Sequence, residues 1–330
     1  MVPELHDLLM TARVVSVPMT SRFRGITTRE AVLFEGPEGW TEFSPFVEYG
    51  DEEAAAWLHA AIDFGWRPTP QALRARIPVN ATVPAVPAAD VAAVLDRYPG
   101  ARTAKVKVAE PGQTLADDIA RVRAVRDRLG AEGRIRVDAN TLWNVDEAEH
   151  AIHALAPFDL EYVEQPCATV DELADIRRRT AYMGIPIAAD ESVRKAADPL
   201  AVARAGAADL LVIKAQPLGG IHSALRIVAE AGLPVVVSSA IDTSVGIAMG
   251  AHLAAAVPEL EFDCGLGTVA LFVQDIAVEP LLPVDGFIPV TRPAVDPARL
   301  GALEAPADRR EWWLERVRRC YRVVERAAAL

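Results

Sequence analysis

The chain has 330 residues, 51% of them apolar, enough for one large domain with additions or for two domains. Acids outnumber bases, 46 to 34, for a net charge of −12 without a basic run, which makes nucleic acid and anionic membranes poor partners. Cys167, Cys264 and Cys320 lie far apart, a pattern that suits reduced thiols in the cytoplasm and lacks zinc-site spacing.

The first residues contain Glu4, His6 and Asp7 and lack the basic flank and apolar run of a signal peptide. No span reaches ~18 uninterrupted apolar residues, so no membrane helix is expected. Val14–Val17, Thr27–Phe34 and Gly39–Phe46 alternate and carry β-branched or aromatic residues; Gly36-Pro37-Glu38-Gly39 is a turn between the last two. A small antiparallel sheet is predicted. Between its first strands, Pro18–Gly25 is polar and carries Arg22 and Arg24, which reads either as a solvated loop or as a lid over a site elsewhere. Asp51–Phe64 follows as a helix with Ala55, Leu58 and Ile62 on one stripe.

From Arg76 the texture changes. Strand-like runs at Val79–Val83, Ala104–Val108, Ile135–Asp138, Glu161–Glu164, Ile187–Ala189, Leu210–Ile213, Val235–Ser238 and Phe262–Gly265 alternate with amphipathic helices such as Leu115–Leu129. Three helices open with Thr or Asn followed three residues later by an acid: Thr114/Asp117, Asn144/Glu147 and Thr169/Glu172. This pattern predicts a closed parallel βα barrel. An open doubly wound sheet is the alternative, and no glycine-rich dinucleotide fingerprint supports it. Arg309–Ala328 reads as a basic amphipathic helix whose Trp312, Trp313, Val317, Tyr321 and Val324 pack back on the first domain; a partner or membrane helix is the other reading.

Lys105 and Lys107 lie two apart on a predicted strand, so both leave the same face. Two ammonium groups there are costly unless neutralised or used. Asp138, Glu164, Asp190 and Lys214 follow, each near the end of a β-rich run and about 24 to 31 residues from the one before. In a barrel such residues converge on one mouth. Three carboxylates side by side call for a cation, and hard oxygen ligands without histidine fit Mg²⁺ better than Zn²⁺. Lysines flanking the acids suit abstraction of a proton next to a carboxylate, with the cation neutralising the enediolate. For Lys107 to act as a base its pKa must fall, and Lys105 and the cation would both push it down. Taken singly, each residue has a plainer reading as a helix cap or surface group. Asn140 and Glu191 read as capping or supporting groups, and Glu110, Asp117 and Asp118 as groups that solvate a helix start.

Lys-x-Lys at 105–107, Asp-Ala-Asn at 138–140, Glu-Gln-Pro at 164–166, Asp-Glu-Ser at 190–192 and Lys-x-x-x-x-Gly-Gly at 214–220 together resemble the enolase superfamily, muconate-lactonizing subgroup. The resemblance covers the whole chain. It implies an α/β fold, a modified (β/α)7β TIM-type barrel with an α+β N-terminal capping domain. The expected division is 1–75 for the cap, 76–285 for the barrel and 286–330 for a segment packing back on the cap. It implies that Pro18–Gly25 belongs to a mobile specificity loop, that Asp138, Glu164 and Asp190 bind Mg²⁺, and that Lys107 removes the α-proton with help from Lys105. Lys214 would stabilise the enediolate as a cation. Further motifs, Ser-Arg-Phe-Arg-Gly at 21–25, Gly-Trp-Thr-Glu-Phe-Ser-Pro-Phe at 39–46, Ser-Ser-Ala-Ile-Asp-Thr-Ser at 238–244 and Gly-Leu-Gly-Thr at 265–268, resemble a dehydrating branch of that subgroup. They imply syn-dehydration of 2-succinyl-6-hydroxy-2,4-cyclohexadiene-1-carboxylate to an aromatic product on the way to menaquinone. Ser238 and Ser239 either hold a substrate carboxylate or satisfy neighbouring backbone. The rival activities are racemisation of N-succinylamino acids and dipeptide epimerisation, and the rival from another class is a non-catalytic metal-binding barrel. Epimerases usually present Asp-x-Asp after the eighth strand, where this chain has Cys264-Gly265-Leu266-Gly267. The partner expected is a small carboxylate substrate, and the sequence is compatible with a monomer.

Overall fold

The computed structural model describes residues 2–194 and 198–328. The chain opens with a short helix, α1 (Leu5–Thr11), and then β1 (Arg13–Phe23), β2 (Ile26–Gly36) and β3 (Gly39–Phe43), followed by α2 (Asp51–Trp66). β1, β2 and β3 form an antiparallel meander. Ala31, Val32, Leu33 and Phe34 are all buried, so β2 is covered on both faces there, and Ala55, Leu58 and Ile62 of α2 are buried. The stretch read as a loop is instead the tip of a hairpin. β1 and β2 pair on to Phe23↔Ile26 across an irregularity after Pro18, and Arg24 and Gly25 turn the chain with positive φ (49° and 78°).

Two short strands, β4 (Arg76–Pro78) and β5 (Ala81–Val83), lead through α3 (Val91–Leu95) into the repeating part: β6 (Thr103–Lys107), α4 (Leu115–Leu129), β7 (Arg134–Asp138), α5 (Val145–Leu155), β8 (Leu160–Glu164), α6 (Val170–Thr180) and β9 (Ile187–Ala189). It continues with α7 (Glu191–Arg194), α8 (Ala201–Arg204), β10 (Leu210–Ile213), α9 (Ile221–Ala231), β11 (Val235–Val237) and α10 (Ser244–Ala256). Among the described residues, β5 to β11 form one parallel sheet in sequential order. The expected eighth strand is reduced to two bridges: Cys264 pairs with Val79 and Gly265 with Ser238, which joins the sheet's two edges and closes the ring. Helices α4, α5 and α6 each begin with the expected reciprocal cap, at Thr114/Asp117, Asn144/Glu147 and Thr169/Glu172.

β12 (Phe287–Pro289) returns to pair with β4, and α11 (Pro297–Ala302) precedes α12 (Ala307–Ala328). Trp313, Val317, Tyr321 and Val324 of α12 are buried in the cap's core, and Trp313 meets Phe43 edge-on at 5.9 Å. Core packing is therefore the role of this helix. No helix among the described residues is long and apolar enough to cross a membrane.

The seam between cap and barrel carries buried polar contacts, one of them at Glu42. α10 is apolar on nearly all sides and lies against β3. Glu42 of β3 caps it from the other domain: its carboxylate accepts from the backbone N–H of Thr243 and of Gly246, both at 3.1 Å, and from the hydroxyls of Ser44 and Thr243. Burial, then the neighbouring Asp242, pushes the Glu42 carboxyl up to about 7 despite these donors. A carboxyl raised in the fold contributes most below its ordinary value, and that contribution fades as pH rises through about 7. Glu42→Gln is expected to remove that loss, so its melting temperature falls less than wild type's between about pH 5 and about pH 8. Parallel pH profiles for the two proteins would exclude this role.

Candidate active site

Lys107, Asp138 and Glu164 are in register across β6, β7 and β8, which sets three functional side chains at one level of the ring. Asp190 stands just past β9 and Lys214 just past β10. Lys105 leaves the same face of β6 as Lys107, as a two-residue spacing requires. Lys105 Nζ lies 2.8 Å from Glu164 Oε1 and 3.1 Å from Asp138 Oδ2. Lys107 Nζ lies 2.5 Å from Asp138 Oδ2 and 2.6 Å from Asn140 Oδ1. On the other side, Lys214 Nζ lies 2.5 Å from Asp190 Oδ1. Lys105, Lys107, Asp138 and Glu164 thus form one network of alternating charge, and the Lys214–Asp190 pair stands apart from it across the site.

The electrostatics follow from who neighbours whom. Burial opposes the charge of Asp138, but Lys107 and Lys105 outweigh it and hold the carboxyl well below its usual range. Asp190 is likewise buried and is drawn down to about 2 by Lys214 and Arg194. Glu164 goes the other way: burial, then Asp138, push it up to about 7. Lys105 is buried too, yet Glu164 and Asp138 keep its pKa well above normal. For Lys214 burial wins over Asp190, and the pKa falls.

Among the described residues no three His, Cys, Asp or Glu side chains form a ready-made metal cage, because each acid is turned to an ammonium group. The donor set nonetheless fits a hard divalent cation. Glu164 Oε2 is buried without a hydrogen-bond partner, and burial, then the neighbouring Asp138 and Asp190, raise the Glu164 carboxyl.

The network floors a cleft of about 530 Å³, open solvent at its mouth included. Phe23 and Arg24 of the hairpin tip, Phe46 after β3, and the wall Ser238–Ile241 after β11 complete it. Arg24 stacks on Phe46, its guanidinium 4.2 Å from the ring centre. Arg22 lines an adjoining cavity. Ser238 lines the cleft; Ser239 does too, but its hydroxyl donates to the Gly265 carbonyl at 2.7 Å and meets Thr268 Oγ1 at 2.9 Å. The loops after the strands are tightly turned. Ala109, Asn140, Thr141, Gln165 and Ile241 all have positive φ, a costly conformation concentrated at this mouth.

Arg194 and the Asp118–Arg121 pair are supports not expected from sequence, whereas Asn140 and Glu191 already read as supporting groups from it. Arg194 is buried, donates to Asp190 (3.1 Å) and Glu191 (2.6 Å), and meets Tyr49 of the cap at 2.9 Å. Asn140 donates its backbone N–H to Asp138 Oδ1 (3.0 Å) and its amide to Glu191 (3.3 Å), so both act as supports. Asp118 does more than solvate a helix start. It is buried, accepts from the Ala109 N–H (3.0 Å) and pairs with Arg121, which in turn donates to the Lys107 carbonyl at 2.9 Å. This braces the end of β6.

Comparison with known proteins bears on both halves. Residues 88–297 match the family model "Enolase C-terminal domain-like" and residues 14–65 match "Enolase N-terminal domain-like". The chain is 58% identical to the o-succinylbenzoate synthase of Mycobacterium ulcerans, over 98% of this chain and 97% of that protein. It is 58% identical to the o-succinylbenzoate synthase of Mycolicibacterium smegmatis, over 98% and 99%. In fold it is similar to the muconate lactonizing enzyme of Pseudomonas fluorescens, with a TM-score of 0.75 at 22% identity over 89% of this chain and 98% of that one. It is also similar to the N-succinyl Arg/Lys racemase of Bacillus cereus, with a TM-score of 0.74 at 20% identity over 89% and 97%.

Proposed function

The chain belongs to the enolase superfamily, and from that premise we propose how its own residues carry out α-proton chemistry on a carboxylate substrate. Its activity is that of an o-succinylbenzoate synthase, a hydro-lyase converting 2-succinyl-6-hydroxy-2,4-cyclohexadiene-1-carboxylate to o-succinylbenzoate and water. The observation that carries the mechanism is the pair of amines facing one cleft from separate sectors of the ring, Lys107 on β6 and Lys214 after β10, with three acids between them.

Lys107 in its neutral form takes the α-proton, leaving an enediolate. It then returns that proton to the departing hydroxyl on the same face; the C–O bond breaks, water leaves, and the ring becomes aromatic. Lys105 keeps its charge against Glu164 and Asp138 and assists Lys107 electrostatically. Lys214, across the cleft, faces the enediolate as a cation. Asp138, Glu164 and Asp190 would hold Mg²⁺, which when bound supplies positive charge to the substrate carboxylate as the proton leaves. The Ser238–Ser239 segment receives the succinyl carboxylate. Residues 1–75 act as cap, 76–285 as barrel and 286–330 as the returning segment. A cytoplasmic setting suits the buried free thiols of Cys167, Cys264 and Cys320.

Dehydration is followed by loss of the diene absorbance on adding substrate and Mg²⁺. N-succinylamino acids are offered in parallel and followed by polarimetry. Dehydration at useful rates is the expected result; racemisation without dehydration would overturn this reading in favour of the rival activity.

A further inference from the structure

Ile241 has a left-handed backbone, φ 62°, which a β-branched residue adopts rarely and at a cost. It is buried, lies three residues after Ser238 and forms part of the cleft wall. Something has to hold this conformation in place. On the barrel side, Asp242 accepts from the Ala240 N–H at 3.3 Å and from Gln216 Nε2 at 3.0 Å. The stronger grip comes from the cap. Arg29 of β2, itself buried, donates Nε to the Ile241 carbonyl at 3.1 Å and Nη2 to the carbonyl of Ser44. Its guanidinium also lies over the Phe46 ring, 4.4 Å from the centre, and Phe46 lines the same cleft. One planar fork therefore binds a carbonyl from each domain and fixes the distance between them.

We propose that Arg29 is a positioning residue: it reaches from the cap across the seam and holds the Ser238–Ile241 wall in the shape that accepts the substrate. The inference rests on the reading that this wall contacts the succinyl carboxylate. Arg29 touches no reacting atom. Its loss should therefore weaken substrate capture and leave the proton transfers at Lys107 intact. Glu42 and Asp242 face Arg29 within the seam, so a variant that keeps the positive charge separates positioning from charge balance.

Arg29→Lys keeps the charge, but a single ammonium cannot replace the two-point grip. It is expected to raise KM about tenfold while kcat stays within about twofold. Glycine adopts positive φ without strain, so in an Ile241→Gly background, whose own KM is the reference, Arg29→Lys should raise KM by no more than about threefold. A wild-type KM for Arg29→Lys, or a KM penalty that Ile241→Gly does not lessen, would overturn the proposal. Should Arg29→Lys alone prove insoluble, recovery of soluble, active protein by adding Ile241→Gly supports the proposal and failure to recover it counts against. Wild-type turnover is measured first. Its absence defeats the functional reading, whereas turnover with an unmoved Arg29→Lys KM defeats only the positioning role.

Discussion

Lys107→Ala is expected to lower kcat for dehydration by at least ~10²-fold and up to ~10⁴-fold, with KM little changed. The amine lost is the one assigned both proton transfers. No neighbour is placed to take over. Lys105 is engaged by Glu164 and Asp138 and its charge is strongly favoured; Lys214 stands beyond Asp190, on the far side of the acids. Arg121 holds the Lys107 carbonyl from behind, so the backbone at this position does not depend on the side chain. The fold should therefore survive, and melting temperature checks that it does. Asp138 loses one of its two ammonium neighbours in the variant, which leaves its oxygen freer for a cation. Mg²⁺ should accordingly still raise the melting temperature of Lys107→Ala. A variant that turns over at the wild-type rate would remove Lys107 from its assigned role. One that loses both turnover and the Mg²⁺ response would move the residue from proton transfer to site assembly.

The residues that made this site readable obey a local rule. A charged side chain on the inward face of an apolar strand is conspicuous, and a periodic series of such residues marks a barrel mouth. Lys105, Lys107, Asp138 and Glu164 were found that way, and the caps at Thr114, Asn144 and Thr169 marked where helices begin. The same rule would have singled out Arg29. It shares a face with Ala31 and Leu33, which are buried, and it is buried with them. It lies outside the βα repeats and so belongs to no periodic series. Other features have no local signature. The partners of Glu42 lie some two hundred residues away at Thr243 and Gly246, and the Arg194–Tyr49 contact also crosses the seam. From sequence the hairpin tip reads as a loop because Arg22, Arg24 and Gly25 look like a solvated turn. The strands continue nearly to it because Phe23 packs inward over the cleft. The eighth strand was overestimated for a related reason. Phe262–Gly265 has strand-like residues, yet only Cys264 and Gly265 find ladder partners, and Asp263 is drawn off to bond Thr103 and Arg134.

Glu164→Gln is expected to abolish the Mg²⁺-dependent rise in melting temperature and to cost at least ~10²-fold in kcat/KM. Of the three acids, Glu164 is the most deeply placed and has the least to do without a cation. Its Oε2 has no partner, and burial, then Asp138 next to it, already push its carboxyl up to about 7. A neutral amide there relieves crowding with Asp138 and leaves Lys105 its contact with that acid. The stability of the metal-free variant should therefore match wild type or exceed it, even as the metal response disappears. That opposition of signs separates a ligand from a structural acid. An acid that merely held Lys105 in place would lower the melting temperature in chelator when replaced, because a buried ammonium would lose half its compensation. Thermal scans of both proteins, with chelator and with millimolar Mg²⁺, measure the two quantities together. Retention of the Mg²⁺ response by Glu164→Gln would take this residue out of the metal site, with the ion held by other groups.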